Sequence, residues 1–328
     1  MVNALFKTER LVMGCYMPKS QKLEEFLSIL AKIREHPTSE EGIIILRQGL
    51  KSKYSIAVAQ AAKIVGESTI TELVADLVEA FARMMVKPAQ VDQNCLAKKE
   101  IAQTLYHLEY SDENLFLQGI RHIQMEPVWG GVEDTAAHLR GICALGLVRM
   151  NYSDVMNELA DLLADPKPEA RVAAVKAIAY TGNPQGVPLL RLKTRIGDQA
   201  PQVISECFSA LLQLAPTDSL AMVAGFLFDP KEQICELAAL TLGESRLEKA
   251  FDLLRNCWQQ TRNVELRRTL LLAIGMLRQD KAIDYLISLV AQGKDIDAKD
   301  AIAALAIYRE DRELWQRVDQ ASKQRANQ

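Results

Sequence analysis

From residue 165 onward, apolar residues recur three and four positions apart in paired stretches separated by short polar turns. The clearest unit, DPKPEARVAAVKAIAYTGNPQGVPLL, opens at Asp165; another, DPKEQICELAALTLGESRLEKAFDLL, opens at Asp229. This spacing puts the apolar side chains on one face of a helix, so each unit predicts two amphipathic helices joined by a turn. The opening Asp offers a side-chain oxygen to the unpartnered N–H groups of the helix start. The Pro after it, at the first helical position, gives up an N–H that had no partner anyway. Gly182-Asn183-Pro184 then supplies helix-stop and turn chemistry.

Equivalent openings fall near Ser52, Asp92, Val132, Asp165, Asp198, Asp229, Thr261 and Gln292, spaced by 40, 40, 33, 33, 31, 32 and 31 residues. An earlier pair over 22–35 and 39–51 brings the total to about nine helix pairs. The second helices are expected near 69–85, 112–124, 153–164, 186–196, 217–228, 248–260 and 281–292. A mid-helix Gly costs about 1 kcal/mol relative to Ala. Gly146, Gly243 and Gly275 in one phase therefore predict close packing between helices.

The predicted organisation is an N-terminal segment (1–21), longer repeats (22–131), regular repeats (132–320) and a fraying tail (321–328), all in one continuous all-α superhelix. The charged stretch around Trp315 reads as the polar cap such a stack needs at its end. Two longer units carry extra residues between repeats, MMVKPAQVDQN (84–94) and HIQMEPVWGGVED (122–134). Insertions of this kind fall on one edge of a stacked array and often serve binding.

Composition narrows the class. Hydrophobic residues make up 49% and charged residues 25% of the 328, as in ordinary core-forming proteins, but aromatics only 6%. The core must then be built from Ala, Leu, Ile and Val. A net charge of −3 lacks the basic bias of an unselective phosphate-backbone binder, so nucleic acid is not expected as a partner. Cys15, Cys95, Cys143, Cys207, Cys235 and Cys257 are scattered singly, which points to buried thiols rather than disulfides or metal ligands. The N-terminus lacks a signal-peptide core and no stretch is apolar enough to span a bilayer, so no membrane association and a cytoplasmic location are expected.

The units resemble HEAT repeats, specifically the short HEAT-like repeats named after phycobilisome lyases. That pattern runs Asp-Pro, a basic residue five positions after the Pro, an Ala-rich helix and a Gly-Asp-Pro-like turn. Asp165, Pro166, Arg171, Gly182, Asn183 and Pro184 match it, as do Asp229, Pro230 and Gly243. Lys98 and Arg267 occupy the basic position of their units, whereas Ile204 and Cys235 depart from it and Val132 replaces the opening Asp. The resemblance implies a HEAT-like solenoid that binds a protein or peptide on the face lined by second helices. It also implies a second reading, a bilin lyase-like or chromophore-handling factor for phycobiliproteins, although no catalytic residue of that family can be placed here. DNA binding of the kind seen in HEAT-like glycosylases is a third reading, disfavoured by the charge.

Candidate partner-binding residues cluster in three places. Around the second insertion stand Arg121, His122, Met125 and Trp129. Trp129 either anchors a partner or folds back over the seam between a long and a short unit. His122 and Glu126, four apart, would share a helical face, but no third ligand accompanies them and no metal site is expected. Arg191, Lys193 and Arg195 form a cationic group on one second helix, fit for an anionic partner or simply a solvated flank. Trp258 is either a stacking surface or core. No nucleotide-binding or hydrolase motif occurs and no cofactor is implied. Whether a small molecule binds is left open. The leading expectation is a non-catalytic protein–protein interaction scaffold or adaptor that binds its partner on the concave face and on the edge loop 122–134.

Overall fold

The computed structural model of the protein describes residues 19–326; residues 1–18, with Cys15 and most of the expected N-terminal segment, and residues 327–328 lie outside the described part. The fold is all-α, an array of HEAT-like helix pairs. Among the described residues it comprises nineteen α-helices and one two-stranded antiparallel hairpin. The chain divides into two compact units, one ending at Tyr152 and the other beginning at Ser153.

The first unit contains α1 (Lys19–Ile33), α2 (Glu40–Leu50), α3 (Ser55–Glu67), α4 (Val74–Met84) and the short α5 (Pro88–Val91). It continues through α6 (Leu96–His107), α7 (Glu113–Ile120), β1 (Met125–Val128), β2 (Gly131–Asp134) and α8 (Ala137–Arg149). First helices α3, α6 and α8 stack in succession, while α4 lies against α6 and α7 against α8. Each second helix thus covers the first helix of the next pair, burying apolar stripes that neither could bury alone. Small residues permit the approach. A Cβ on Gly146 of α8 would stand 2.4 Å from the Phe116 ring of α7.

The second unit contains α9 (Val155–Leu163), α10 (Pro168–Thr181), α11 (Gly186–Ile196), α12 (Pro201–Leu214), α13 (Pro216–Gly225) and α14 (Glu232–Ser245). The array ends with α15 (Ala250–Gln260), α16 (Val264–Met276), α17 (Asp280–Gln292), α18 (Asp295–Leu305) and α19 (Arg312–Ala326). Here α10, α12, α14, α16 and α18 stack in order. The expected close packing at Gly243 is present, because a Cβ there would meet the Ala273 carbonyl oxygen at 2.4 Å. Cys95, Cys143, Cys207, Cys235 and Cys257 are free and buried.

The repeat opening works differently from the sequence expectation. Asp165, Asp198 and Asp229 accept from the N–H two residues on, at 2.8, 2.8 and 2.9 Å. Each closes an Asx turn one step ahead of the helix, which starts at Pro168, Pro201 and Glu232. Proline does occupy the first helical position, but it is Pro168 rather than Pro166. The same turn identifies the third opening as Asp134, which accepts from Ala136 at 3.0 Å. Val132 therefore replaces nothing; the inserted residues had displaced the register by two.

The basic position ties openings together. Arg171 Nη1 donates to the Asp165 and Pro166 carbonyls at 2.7 and 2.9 Å, while Nε and Nη2 grip the next opening, Asp198, at 2.8 and 2.6 Å. Arg267 likewise joins the Trp258 carbonyl (2.8 Å) to Asp297 (2.7 Å). Burial alone would raise the Asp198 carboxyl. Hydrogen bonds from Arg171, Lys193 and the Ala200 N–H outweigh it and bring the pKa down to about 2. At the C-terminal end, the expected fraying tail is helical through 321–326, held by buried Leu314, Val318 and Ala321; Trp315 is only half-buried.

Candidate functional site

The second insertion of the first unit is a β-hairpin, with Met125, Glu126, Pro127 and Val128 paired to Asp134, Glu133, Val132 and Gly131. Its two-residue loop is Trp129-Gly130. Gly130, at φ +92°, supplies the left-handed backbone that the turn needs. Side chains alternate sides along a strand, and 123–126 follow that period: Ile123 and Met125 face out, Gln124 and Glu126 face in. An antiparallel ribbon lying on a protein ordinarily turns its apolar side inward. This one is inverted. Ile123, Met125, Pro127, Val128 and Val132 are exposed, and Trp129 at the tip is wholly exposed, at 103% of its reference area.

Beneath the ribbon lies a buried polar network. Asp92 Oδ1 accepts from the Ala97 N–H at 2.8 Å, and Oδ2 accepts from the Lys98 N–H and Nζ at 3.0 and 2.9 Å. Both side chains of this ion pair are fully buried. Gln124 Nε2 donates to the Asp92 carbonyl at 2.7 Å and to Glu126. Both Glu126 oxygens accept from the Asn94 N–H at 2.9 Å. Asn94 and Cys95 are both left-handed, with φ of 58° and 52°, so the first insertion (84–94) is shaped to present this N–H and the Asp92 side chain.

At the hairpin's root, Arg140 donates to the His122 carbonyl at 2.9 Å and pairs with Asp134 at 2.7 Å. His122 Nε2 meets Gln124 Oε1 at 3.2 Å. Burial, with smaller contributions from Lys98 and Arg140, holds the His122 pKa below its ordinary value, so the ring is neutral near pH 7. Burial likewise raises the Cys95 thiol to about 12, too high for a thiolate nucleophile. The network's arrangement can do one thing plainly, which is to pin the hairpin with its apolar side toward solvent.

The structure places Met125 and Trp129 on the hairpin and Arg121 and His122 in the segment that leads into it. Arg121 is exposed at the end of α7, and His122 is half-buried at the root. Trp129 does not fold back over a seam. His122 and Glu126 share no helix, since the segment is coil and strand, and they communicate through Gln124. Among the described residues no group of three or more His, Cys, Asp or Glu could hold a metal ion. In the second unit, Arg191 and Arg195 are exposed on α11, whereas Lys193 turns to Asp198 at 2.9 Å and is neutralised there. Trp258 is core: it is 7% exposed, edge-on to Tyr285 and covered by the Arg267 guanidinium 4.0 Å above its ring. It cannot serve as a stacking platform.

Sequence reasoning missed Ile123 and Val132, and it missed the inward roles of Gln124 and Glu126. The signal was present in IQMEPV-WG-GVED, polar and apolar in alternation around a two-residue turn containing Gly.

No protein-family model matches the chain, and no curated protein does. Among solved structures it is similar to the complex of CpcE and CpcF of phycocyanin lyase from a Nostoc species, at 15% identity over 76% of this chain and 94% of that one, with a TM-score of 0.39. It is also similar to an engineered protein (13% identity, 95% of this chain, 96% of that one, TM-score 0.36). A third likeness is to human deoxyhypusine hydroxylase in complex with glycerol (12%, 90%, 92%, TM-score 0.27). Superpositions this loose carry no function from one chain to another. Among the described residues no helix is long and apolar enough to cross a membrane.

Proposed function

We propose that this protein is a docking module that presents the 125–134 hairpin to an apolar pocket on a protein partner. One observation carries the reading: the hairpin is pinned polar-side-in, leaving Trp129 and its apolar neighbours in water. Contiguous exposed apolar surface on a soluble chain marks an interaction site. The tip is also uncharged from Pro127 through Val132, which suits a partner pocket that is itself apolar. Trp129 is the anchor, Met125 and Val132 flank it, and Arg121 supplies a polar rim.

The test is affinity capture with the wild-type chain and with a Trp129→Ala/Val132→Ser variant, the identified partner then being measured by titration. Removing a Trp anchor from an interface weakens binding by about 2 kcal/mol, roughly 30-fold. Circular dichroism of the variant should match wild type, because neither side chain is buried. Identical partners captured with unchanged affinity would overturn the assignment.

A further inference from the structure

The second unit carries another outward face, of different chemistry. On α11, the exposed residues Pro188, Arg191, Leu192, Arg195 and Ile196 fall in two adjacent rows, 188/191/195 and 188/192/196, at three- and four-residue spacings, so they form a single stripe. The opposite side of the same helix is fixed by buried Gly186, Leu190 and Thr194. Leu192 and Ile196 are 58% and 74% exposed, one turn apart, and so form an apolar ridge. Arg191 and Arg195 stand beside that ridge with the same one-turn separation.

The charges on this stripe are unmatched. Among the described residues no carboxylate lies within ion-pair distance of either guanidinium, and Arg195 instead rests 5.8 Å from the ring of half-buried Phe226. Lys193 on the same helix and Arg171 on the preceding one share Asp198, and Arg267, Arg317 and Arg325 are likewise paired with Asp297, Asp284 and Asp295.

We infer that the α11 stripe binds an acidic amphipathic helix of a protein partner. Two Leu-sized residues one turn apart on that helix would pack on Leu192 and Ile196. Two carboxylates with the same spacing would meet Arg191 and Arg195. An apolar ridge running alongside the arginines argues against a phosphate backbone, whose contacts are polar throughout. The inference is independent of the hairpin, which lies in the other unit and bears no charge at its tip.

The test uses two synthetic helical peptides on the full-length protein, identical but for Glu or Lys at two positions one turn apart beside a Leu pair. Fluorescence anisotropy should show the Glu peptide binding and the Lys peptide not. The Arg191→Glu/Arg195→Glu variant should bind the Glu peptide at least about tenfold more weakly and should gain binding of the Lys peptide. Leu192→Ser/Ile196→Ser should weaken both combinations, while Trp129→Ala should bind as wild type does. Equal affinity for the two peptides, or no rescue by charge reversal, overturns the inference. So does arginine-dependent co-sedimentation with phosphatidylserine vesicles in place of peptide binding, which would make the stripe a lipid contact.

Discussion

Two repeat openings use the same device to different ends. At Asp165 in the second unit, the residue six positions on is Arg171, and its guanidinium holds its own opening with one edge and the next opening, Asp198, with the other. At Asp92 in the first unit, the residue six positions on is Lys98, whose ammonium closes back on Asp92 and the Met84 carbonyl. A planar fork can bridge two sites, whereas a compact ammonium satisfies one. Arg171, and Arg267 further on, thereby each tie one repeat to the next. At the hairpin, Gln124, Glu126 and Arg140 tie the inserted ribbon to the openings at Asp92 and Asp134. The helix stack is held by apolar burial in both places. Among the described residues, it is the first unit that devotes a buried charge network to an element that adds nothing to the core.

If that contrast is right, Asp92→Ala has the largest effect. It strands the Lys98 ammonium in the interior and removes the acceptor of two helix N–H groups, so urea unfolding should show a loss of about 3–5 kcal/mol. A loss under 1 kcal/mol would mean that water reaches the site. Arg171→Ala comes next, at roughly 2 kcal/mol, from the broken two-sided contact with Asp198. The same pair sets an acid limit. The Asp198 pKa is depressed in the folded chain to about 2, so its contribution is complete above the ordinary carboxylate range and is lost as pH falls from about 4 toward 2. Thermal melts of wild type should drop through that window more steeply than those of Arg171→Ala, and parallel curves would break the argument. Trp129→Ala should change stability least, within about 0.5 kcal/mol, because the indole touches only solvent.

Much of this was legible beforehand because helix pairing is written in local periodicity. The expected second helix at 186–196 coincides with α11, and the one at 281–292 matches α17 to a residue. The phase of Gly146 and Gly243 correctly foretold close approaches. The errors share one cause, which is that long-range partners are invisible in a linear pattern. Asp165-Pro166 looks like a cap and first turn, but the Asx turn shifts the helix start to Pro168. The third opening reads as Val132 because a linear template cannot see residues 125–134 folding into a hairpin that ends on Asp134. His122 and Glu126 invited a helical reading that the Gly-containing turn just beyond should have barred. Trp258 left two readings open, and core is the one the structure bears out; nothing in NCWQQ discloses that Arg267 and Tyr285 close over it.

The placement of the tryptophans has a practical consequence. The chain has three: Trp258 is enclosed, Trp315 is half-sheltered under Arg309, and Trp129 stands alone in water. The molecule thus carries a built-in optical probe at the tip of its hairpin. Its emission is expected at the red, solvent-relaxed end and open to collisional quenchers that the enclosed indole escapes. Seating that one side chain in an apolar pocket would move part of the emission to the blue and shield it, so occupancy of the hairpin can be read without a label.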